Sequence, residues 1–156
     1  MADHRLLLIR HAKTAEGSVD RVRELTDRGM RDAAEIGKWL AARDVVPDLV
    51  AVSPATRARQ TWTIAAAGLT TQPPMQVDDA IYSNNVSDLL GIARAVDESV
   101  PTLAIVGHNP SIEEFAVRYG ASARDGISTG TVVVMDVDGT WADGSFHFSE
   151  ARTCRG

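Results

Sequence analysis

The feature that most constrains the fold is a set of short, uninterrupted apolar runs. Three of them lie within the predicted strands LLLI at 6–9, DLVAV at 48–52 and TLAIV at 102–106. A strand with one face in water alternates apolar and polar residues, whereas a continuous apolar run is typical of a strand covered on both faces. The chain therefore needs helices above and below a central sheet.

Helical patterns fill the intervals between these runs. Thr26 is in position to cap a helix over 27–43, and Ser53 is predicted to cap a second helix that has Pro54 at its first position and ends near Ala67. Further predicted elements are a strand at Met75–Val77, helices near 89–96 and over 110–119, and a strand pair at 131–137 and 145–148. This alternation predicts an α/β, three-layer sandwich: a mostly parallel sheet flanked by helices on both faces, with an antiparallel edge from the terminal pair.

Size and charge limit the functions that fit. The chain has 156 residues, 44% of them hydrophobic, which predicts a single domain over 1–156. The net charge of -5 provides no overall basic field for nucleic acid or an anionic membrane surface. An anionic ligand would therefore have to be held by a local cluster of cations.

The sequence also predicts a compartment. Cys154 is the single cysteine, so no disulfide can form within the chain, and a reducing, cytoplasmic location is expected. No run approaches the roughly 20 apolar residues that span a bilayer, and the start of the chain lacks the apolar core of a signal peptide. The sequence carries no signal for an oligomeric state.

Arginine and histidine residues follow three of the predicted strands. The first strand ends in Arg10 and His11, the second leads to Arg57 in the next helix, and the third leads to His108 within GHNP. Parallel strands present their carboxyl ends at one edge of a sheet, where ligands bind. We therefore expect two histidines and two arginines to converge there, beside two helix N-termini that add partial positive charge.

Such a cluster suits a dianionic phosphoryl group. Arginine offers a planar fork of donors that matches phosphate oxygens. A neutral imidazole can attack phosphorus, and a second histidine can stabilise the charge that develops on the oxygens. No metal is expected, because the chain has no His-Glu-x-x-His or similarly spaced set of ligands.

Four segments resemble a known family in order and spacing: LIRHAKT, DRVRELTDRG, SPATRARQTWTIA and IVGHNPSIEEFA. They are similar to the histidine phosphatase superfamily, and most similar to its small SixA-like branch of phosphohistidine phosphatases. The resemblance implies a phosphoglycerate mutase-like (histidine phosphatase) fold and catalysis without metal or other cofactor. It also implies a phosphorylated protein or a small phosphorylated molecule as substrate.

The resemblance assigns roles by position. His11 would be the nucleophile that accepts the phosphoryl group, and the phosphate clamp would be formed by Arg10, Arg57 and His108. Arg23 would be an additional cation of the site, which Asp20 would orient unless Asp20 itself takes part in proton transfer.

The chain departs from the pattern of the superfamily at one place, and this difference bears on the identity of the substrate. Larger members of the superfamily carry a Glu or Asp general acid in an insert, where this chain has only DDAIYSNNVSD at 78–88. The imidazole of phosphohistidine leaves readily and needs little protonation, so the missing acid favours either phosphohistidine, as carried by a signalling protein, or another activated substrate. Asp20, Asp78 and Asp79 remain candidates for an acid.

Four other functions compete with this one. A phosphatase of small phosphoesters would use the same nucleophile, and a non-catalytic phosphoanion-binding module would use the same clamp. A metallohydrolase would need a ligand set that the spacing does not show. A receiver-like domain would need an aspartate after the first strand, where this chain has His11.

Overall fold

The computed structural model describes residues 2–156, which form a six-stranded sheet with two helices on each face. The strands are β1 (His4–Arg10), β2 (Leu49–Val52), β3 (Met75–Val77), β4 (Thr102–Gly107), β5 (Thr131–Asp138) and β6 (Ser145–Thr153). The helices are α1 (Asp27–Ala42), α2 (Thr56–Ala67), α3 (Val86–Arg94) and α4 (Ser111–Arg118), with short 3-10 helices at Asp20–Val22 and Asp79–Ser83.

The strand order is β3-β2-β4-β1-β5-β6. The first four strands are parallel, while β5 runs antiparallel to both β1 and β6. This confirms the predicted α/β sandwich with a mostly parallel sheet and an antiparallel terminal pair. The carboxyl ends of β1, β2 and β4 consequently lie at one edge of the sheet.

The central strand β1 explains why an uninterrupted apolar run is required. Leu6 and Leu8 pack on the face covered by α3 and α4, and Leu7 and Ile9 on the face covered by α1 and α2. All four side chains are fully buried. Both cores are therefore held together by one strand, which ends directly at Arg10.

No helix among residues 2–156 is long and apolar enough to cross a membrane.

The two predicted helix caps have different outcomes. The Thr26 cap is confirmed, because its hydroxyl accepts a hydrogen bond of 3.0 Å from the Gly29 amide. The Ser53 cap is wrong: α2 begins only at Thr56, and its N-cap residue, Ala55, makes no side-chain capping bond. The Ser53 hydroxyl accepts a 3.2 Å bond from the Ala55 amide and also lies 2.7 Å from Nε2 of His108, a contact between distant parts of the chain that a local capping signal does not reveal.

Gly37 allows α1 and α2 to approach closely, and we expect Gly37→Ala to destabilise the protein. A Cβ at Gly37 would lie 2.1 Å from the backbone oxygen of Ala65, so one helix would have to move. Overpacking of this kind costs about 1–3 kcal/mol of unfolding free energy. Urea denaturation measures the change.

Gly91→Ala provides the matched control in α3. A Cβ there meets nothing within 4 Å, so the better helix propensity of alanine should stabilise the fold by about 0.5–1 kcal/mol. Equal effects of the two substitutions would contradict the close packing of α1 on α2.

Candidate active site

The two histidines predicted to converge lie side by side. His11 follows β1 and His108 follows the neighbouring β4, and their ring centroids are 5.3 Å apart. The His11 amide donates a 3.0 Å hydrogen bond to the Gly107 carbonyl, which continues the strand pairing to this point. The juxtaposition therefore follows directly from the parallel pairing of β1 with β4.

His11 is held as a neutral imidazole with one nitrogen available for attack. Its side chain is buried, and Nδ1 lies 2.8 Å from the carbonyl oxygen of Ala12. A carbonyl can only accept, so we assign the imidazole proton to Nδ1 and the lone pair to Nε2. Burial, assisted by the charges of Arg57 and Arg10, lowers the pKa of His11 to about 4. The imidazole is therefore unprotonated and nucleophilic at neutral pH.

His108 presents a donor at the same place. Its Nε2 is 2.7 Å from the Ser53 hydroxyl, whose oxygen accepts a 3.2 Å bond from the Ala55 amide. A hydroxyl can accept one hydrogen bond while it donates another, and we assign the Ser53 hydrogen to the bond with Nε2, which leaves the imidazole proton on Nδ1. Burial, followed by the neighbouring His11 and Arg57, lowers the pKa of His108 to about 3. His108 is thus a neutral hydrogen-bond donor.

We expect the His11 imidazole to remain neutral well below pH 6.5, the ordinary pKa of histidine. Because the folded-state pKa is lowered to about 4, the proton binds only as the pH falls through that value. Imidazole nitrogen chemical shifts of the free protein measure this titration, and His11→Gln assigns the resonance. A His11 midpoint near 6.5 would contradict the buried, neutral state.

Two arginines complete the cluster. Arg57 is buried near the start of α2 and donates to Asp20 twice, from Nη1 to the backbone oxygen at 2.8 Å and from Nη2 to Oδ2 at 3.1 Å. Arg10 donates from Nη1 to the Ile127 carbonyl at 2.7 Å. These bonds fix both guanidinium groups beside the histidines.

Three buried donors in this cluster have no hydrogen-bond partner within residues 2–156. They are Nε of Arg10, Nε of Arg57 and Nδ1 of His108. Buried polar groups are nearly always paired in folded proteins, and an unpaired one costs about 1–3 kcal/mol. Three such donors in the cluster that holds the His11 imidazole match a ligand that has several acceptor oxygens, as a phosphoryl group has.

Asp20 connects Arg23 and Tyr82 to the cluster through its bonds with Arg57. Asp20 Oδ1 accepts a 3.1 Å bond from Nε of Arg23, and Oδ2 accepts a 2.6 Å bond from the Tyr82 hydroxyl in addition to the bond from Arg57. The Tyr82 bond, with help from Arg57, lowers the pKa of Asp20 below its ordinary value. Asp20 is therefore an anion that orients arginines, and at neutral pH it has no proton to give.

The other two candidate acids are engaged elsewhere. The Asp78 carboxylate accepts a 3.0 Å bond from the Ala80 amide and caps a 3-10 helix. Asp79 is exposed, 3.7 Å from Nη2 of Arg21. Across residues 2–156, no group of three His, Cys, Asp or Glu side chains is arranged to hold a metal ion.

Sequence reasoning did not identify two neighbours of the site. Ser53 was interpreted as a helix cap, but its hydroxyl contacts His108. Tyr82 bonds to Asp20 and presents its ring edge-on to His108 at a centroid distance of 5.8 Å. The segment 78–88 lies beside the loop that carries His108, because the Asn84 side chain donates a 2.6 Å hydrogen bond to the Asn109 carbonyl. No local sequence motif distinguishes Tyr82 within that segment.

The fold and the site together define a class of protein, an α/β phosphatase with paired histidines and arginines at the carboxyl edge of its sheet. A family model described as "Histidine phosphatase superfamily (branch 1)" matches residues 6–125. The chain therefore belongs to the histidine phosphatase superfamily, within which it is SixA-like.

Individual relatives agree with this assignment. The uncharacterized protein Rv1276c of Mycobacterium tuberculosis (strain ATCC 25618 / H37Rv) is 34% identical over 147 residues, which cover 86% of this chain and 90% of that protein. Among solved structures, a proposed phosphohistidine phosphatase SixA from Nakamurella multipartitia is 28% identical, with a TM-score of 0.84 over 97% of this chain and 96% of that one. The protein histidine phosphatase SixA complexed with tungstate shares the fold, with a TM-score of 0.84 at 21% identity over 96% of each chain.

Proposed function

We propose that this chain is a metal-independent phosphatase that removes the phosphoryl group from phosphohistidine in a protein and carries it transiently on His11. The observation that carries the proposal is the neutral His11 imidazole, with Nε2 unprotonated, in a cluster that contains unpaired donors from Arg10, Arg57 and His108. The site therefore combines a nucleophile with a preorganised clamp for phosphoryl oxygens.

In the first step, the lone pair of His11 Nε2 attacks phosphorus while the bond from phosphorus to the substrate imidazole nitrogen breaks. When the other nitrogen of the substrate ring carries a proton, the leaving group departs as neutral imidazole. Nε of Arg10, Nε of Arg57 and Nδ1–H of His108 are the groups that would donate to the phosphoryl oxygens during transfer. No protein acid is required.

In the second step, water attacks the phosphorus carried by His11. The new oxygen–phosphorus bond forms as the bond to Nε2 breaks, and both protons of that water stay with its oxygen on the inorganic phosphate, which leaves as H₂PO₄⁻ and then equilibrates with solvent. The Ala12 carbonyl keeps the proton of His11 on Nδ1 throughout, so Nε2 recovers its lone pair for the next cycle.

The choice of phosphohistidine follows from the carboxylates near the site. Asp20 is ionised and bonded to Arg57, Arg23 and Tyr82, while Asp78 and Asp79 are engaged elsewhere. An alkyl alcohol is a poor leaving group without a proton donor, whereas imidazole leaves readily. The similar solved structures of SixA, a proposed phosphohistidine phosphatase from Nakamurella multipartitia and a protein histidine phosphatase complexed with tungstate, support the same substrate class.

A substrate panel tests the proposal. We expect kcat/KM for a phosphohistidine peptide to exceed that for an alkyl phosphate such as glycerol phosphate by about 10³-fold or more, since general acid catalysis is worth roughly 10²–10⁴. The rates should be the same before and after treatment with a chelator. Equal turnover of both substrates would contradict the phosphohistidine assignment, and activity that requires an added metal would contradict the mechanism.

A further inference from the structure

A cationic cavity lies beside the catalytic cluster of histidines and arginines. It has a volume of about 520 Å³ and is lined by Arg10, Lys13, Thr14, Arg28, Asp32, Ser128, Thr129 and Arg155. Four cationic side chains thus face one carboxylate. This is a local excess of positive charge on a chain whose net charge is -5.

The cavity is built on the backbone that carries His11. The Gly130 amide, next to the cavity residue Thr129, donates to the carbonyls of Arg10 at 3.2 Å and His11 at 3.1 Å. On the opposite side, the Thr26 amide donates to the Lys13 carbonyl at 3.0 Å and fixes the start of α1. The cavity is therefore held at a set distance from the nucleophile.

Arg10 is shared by the catalytic cluster and the cavity. It is one of the residues that line the cavity, and its charge also acts on the His11 imidazole. Arg57 and His108 lie on the β2 and β4 side of His11, whereas the cavity lies on the β5 and β6 side. A molecule with its phosphoryl group at His11 could therefore extend past Arg10 into the cavity.

The residues that line the cavity include hydrogen-bond donors that are not paired with Asp32, the carboxylate among them. Asp32 is buried and receives the Gly156 amide at 2.9 Å and Arg155 Nη1 at 3.4 Å. Arg28 is half exposed and reaches Asp32 only at 3.9 Å. Lys13 is exposed and has no carboxylate partner within 4.0 Å among residues 2–156. Thr14 accepts from Arg23 at 3.3 Å, so its hydroxyl hydrogen is available to donate.

We propose that this cavity binds a second anionic group, a carboxylate or phosphate, on the same substrate molecule that presents its phosphoryl group to His11. The inference rests on the proposed phosphatase function and adds to it a preference for substrates with a second anion. A carboxylate would come from an acidic residue beside the phosphorylated histidine of a protein. A phosphate would come from a small bisphosphorylated molecule.

Binding measurements with non-hydrolysable probes test this inference without turnover. One pair consists of peptides containing a phosphonate mimic of phosphohistidine, flanked either by aspartates or by asparagines. The other pair consists of an alkyl bisphosphonate and the corresponding monophosphonate. We expect calorimetry to show roughly three- to tenfold tighter binding of the doubly anionic member in one of the pairs, and that pair identifies the source of the second anion. The preference should shrink as salt is added.

Substitutions of residues that line the cavity test whether the preference for a second anion arises there. Lys13→Gln and Arg28→Gln should each reduce the preference, and Lys13→Gln alters an exposed side chain with no partner to lose. Lys38→Gln removes an exposed cation elsewhere on α1 and should leave the preference unchanged.

The inference is overturned if neither doubly anionic probe binds more tightly, or if the preference survives both cavity substitutions. Failure of the proposed function would show itself differently, as an intact phosphohistidine peptide in the turnover assay. The binding ratios can be measured in either case.

Discussion

His11→Ala should abolish turnover, with kcat falling on the order of 10⁴- to 10⁶-fold, as expected when a covalent nucleophile is removed. His11 is the one neutral imidazole in the cluster whose Nε2 can attack, because His108 Nε2 is bonded to Ser53. Stopped reactions with a labelled phosphohistidine peptide, quenched in alkali and mapped by peptide, measure both turnover and covalent transfer.

The wild-type protein should carry an acid-labile, alkali-stable label on His11, and the variant should carry none. His147→Ala is the matched control, because that imidazole is exposed on β6, and label and turnover should both be retained. His11→Gln guards against a folding defect caused by loss of a buried polar ring. Substantial turnover by His11→Ala would contradict the covalent mechanism.

The fold could be predicted because its constraints are local. Continuous apolar runs predict strands buried on both faces, and β1, β2 and β4 were found where those runs lie. The extent of β6 was harder to predict. The apolar pattern indicated 145–148, whereas the strand continues to Thr153 as an edge strand paired only with β5, across a register shift between Val134 and Met135. Because most of the additional residues face solvent, they carry no apolar signal.

The histidines and arginines of the site could be predicted because each lies at or just after the end of a strand, and parallel pairing then brings them together. Ser53 and Tyr82 could not, because their roles arise from packing. Ser53 follows β2 and contacts a loop 55 residues away, and Tyr82 meets Asp20 across 62 residues. The cavity beside Arg10 is similar, since Arg28 and Arg155 come together only when the chain end packs against α1.

Arg57→Ala should lower kcat/KM by about 10²- to 10³-fold, the usual cost of removing one preorganised donor from a charged transition state. Arg57 is fixed by Asp20, and its buried Nε has no partner in the described part of the chain, so its loss removes both charge and a directed donor. Initial rates with the phosphohistidine peptide measure the effect.

Arg59→Ala, two residues further along α2, is the control. Its side chain is exposed and, among residues 2–156, is bonded only to the Pro54 carbonyl, at 3.0 Å, so the change should leave the rate within about twofold of wild type. Arg57→Lys should recover only a small part of the activity, because an ammonium keeps the charge without the planar fork that reaches Asp20 and the phosphoryl oxygens together. Similar losses for Arg57→Ala and Arg59→Ala would mean that general charge, and not the position held by Asp20, supports the reaction. A rate for Arg57→Lys close to wild type would likewise show that the forked geometry is dispensable.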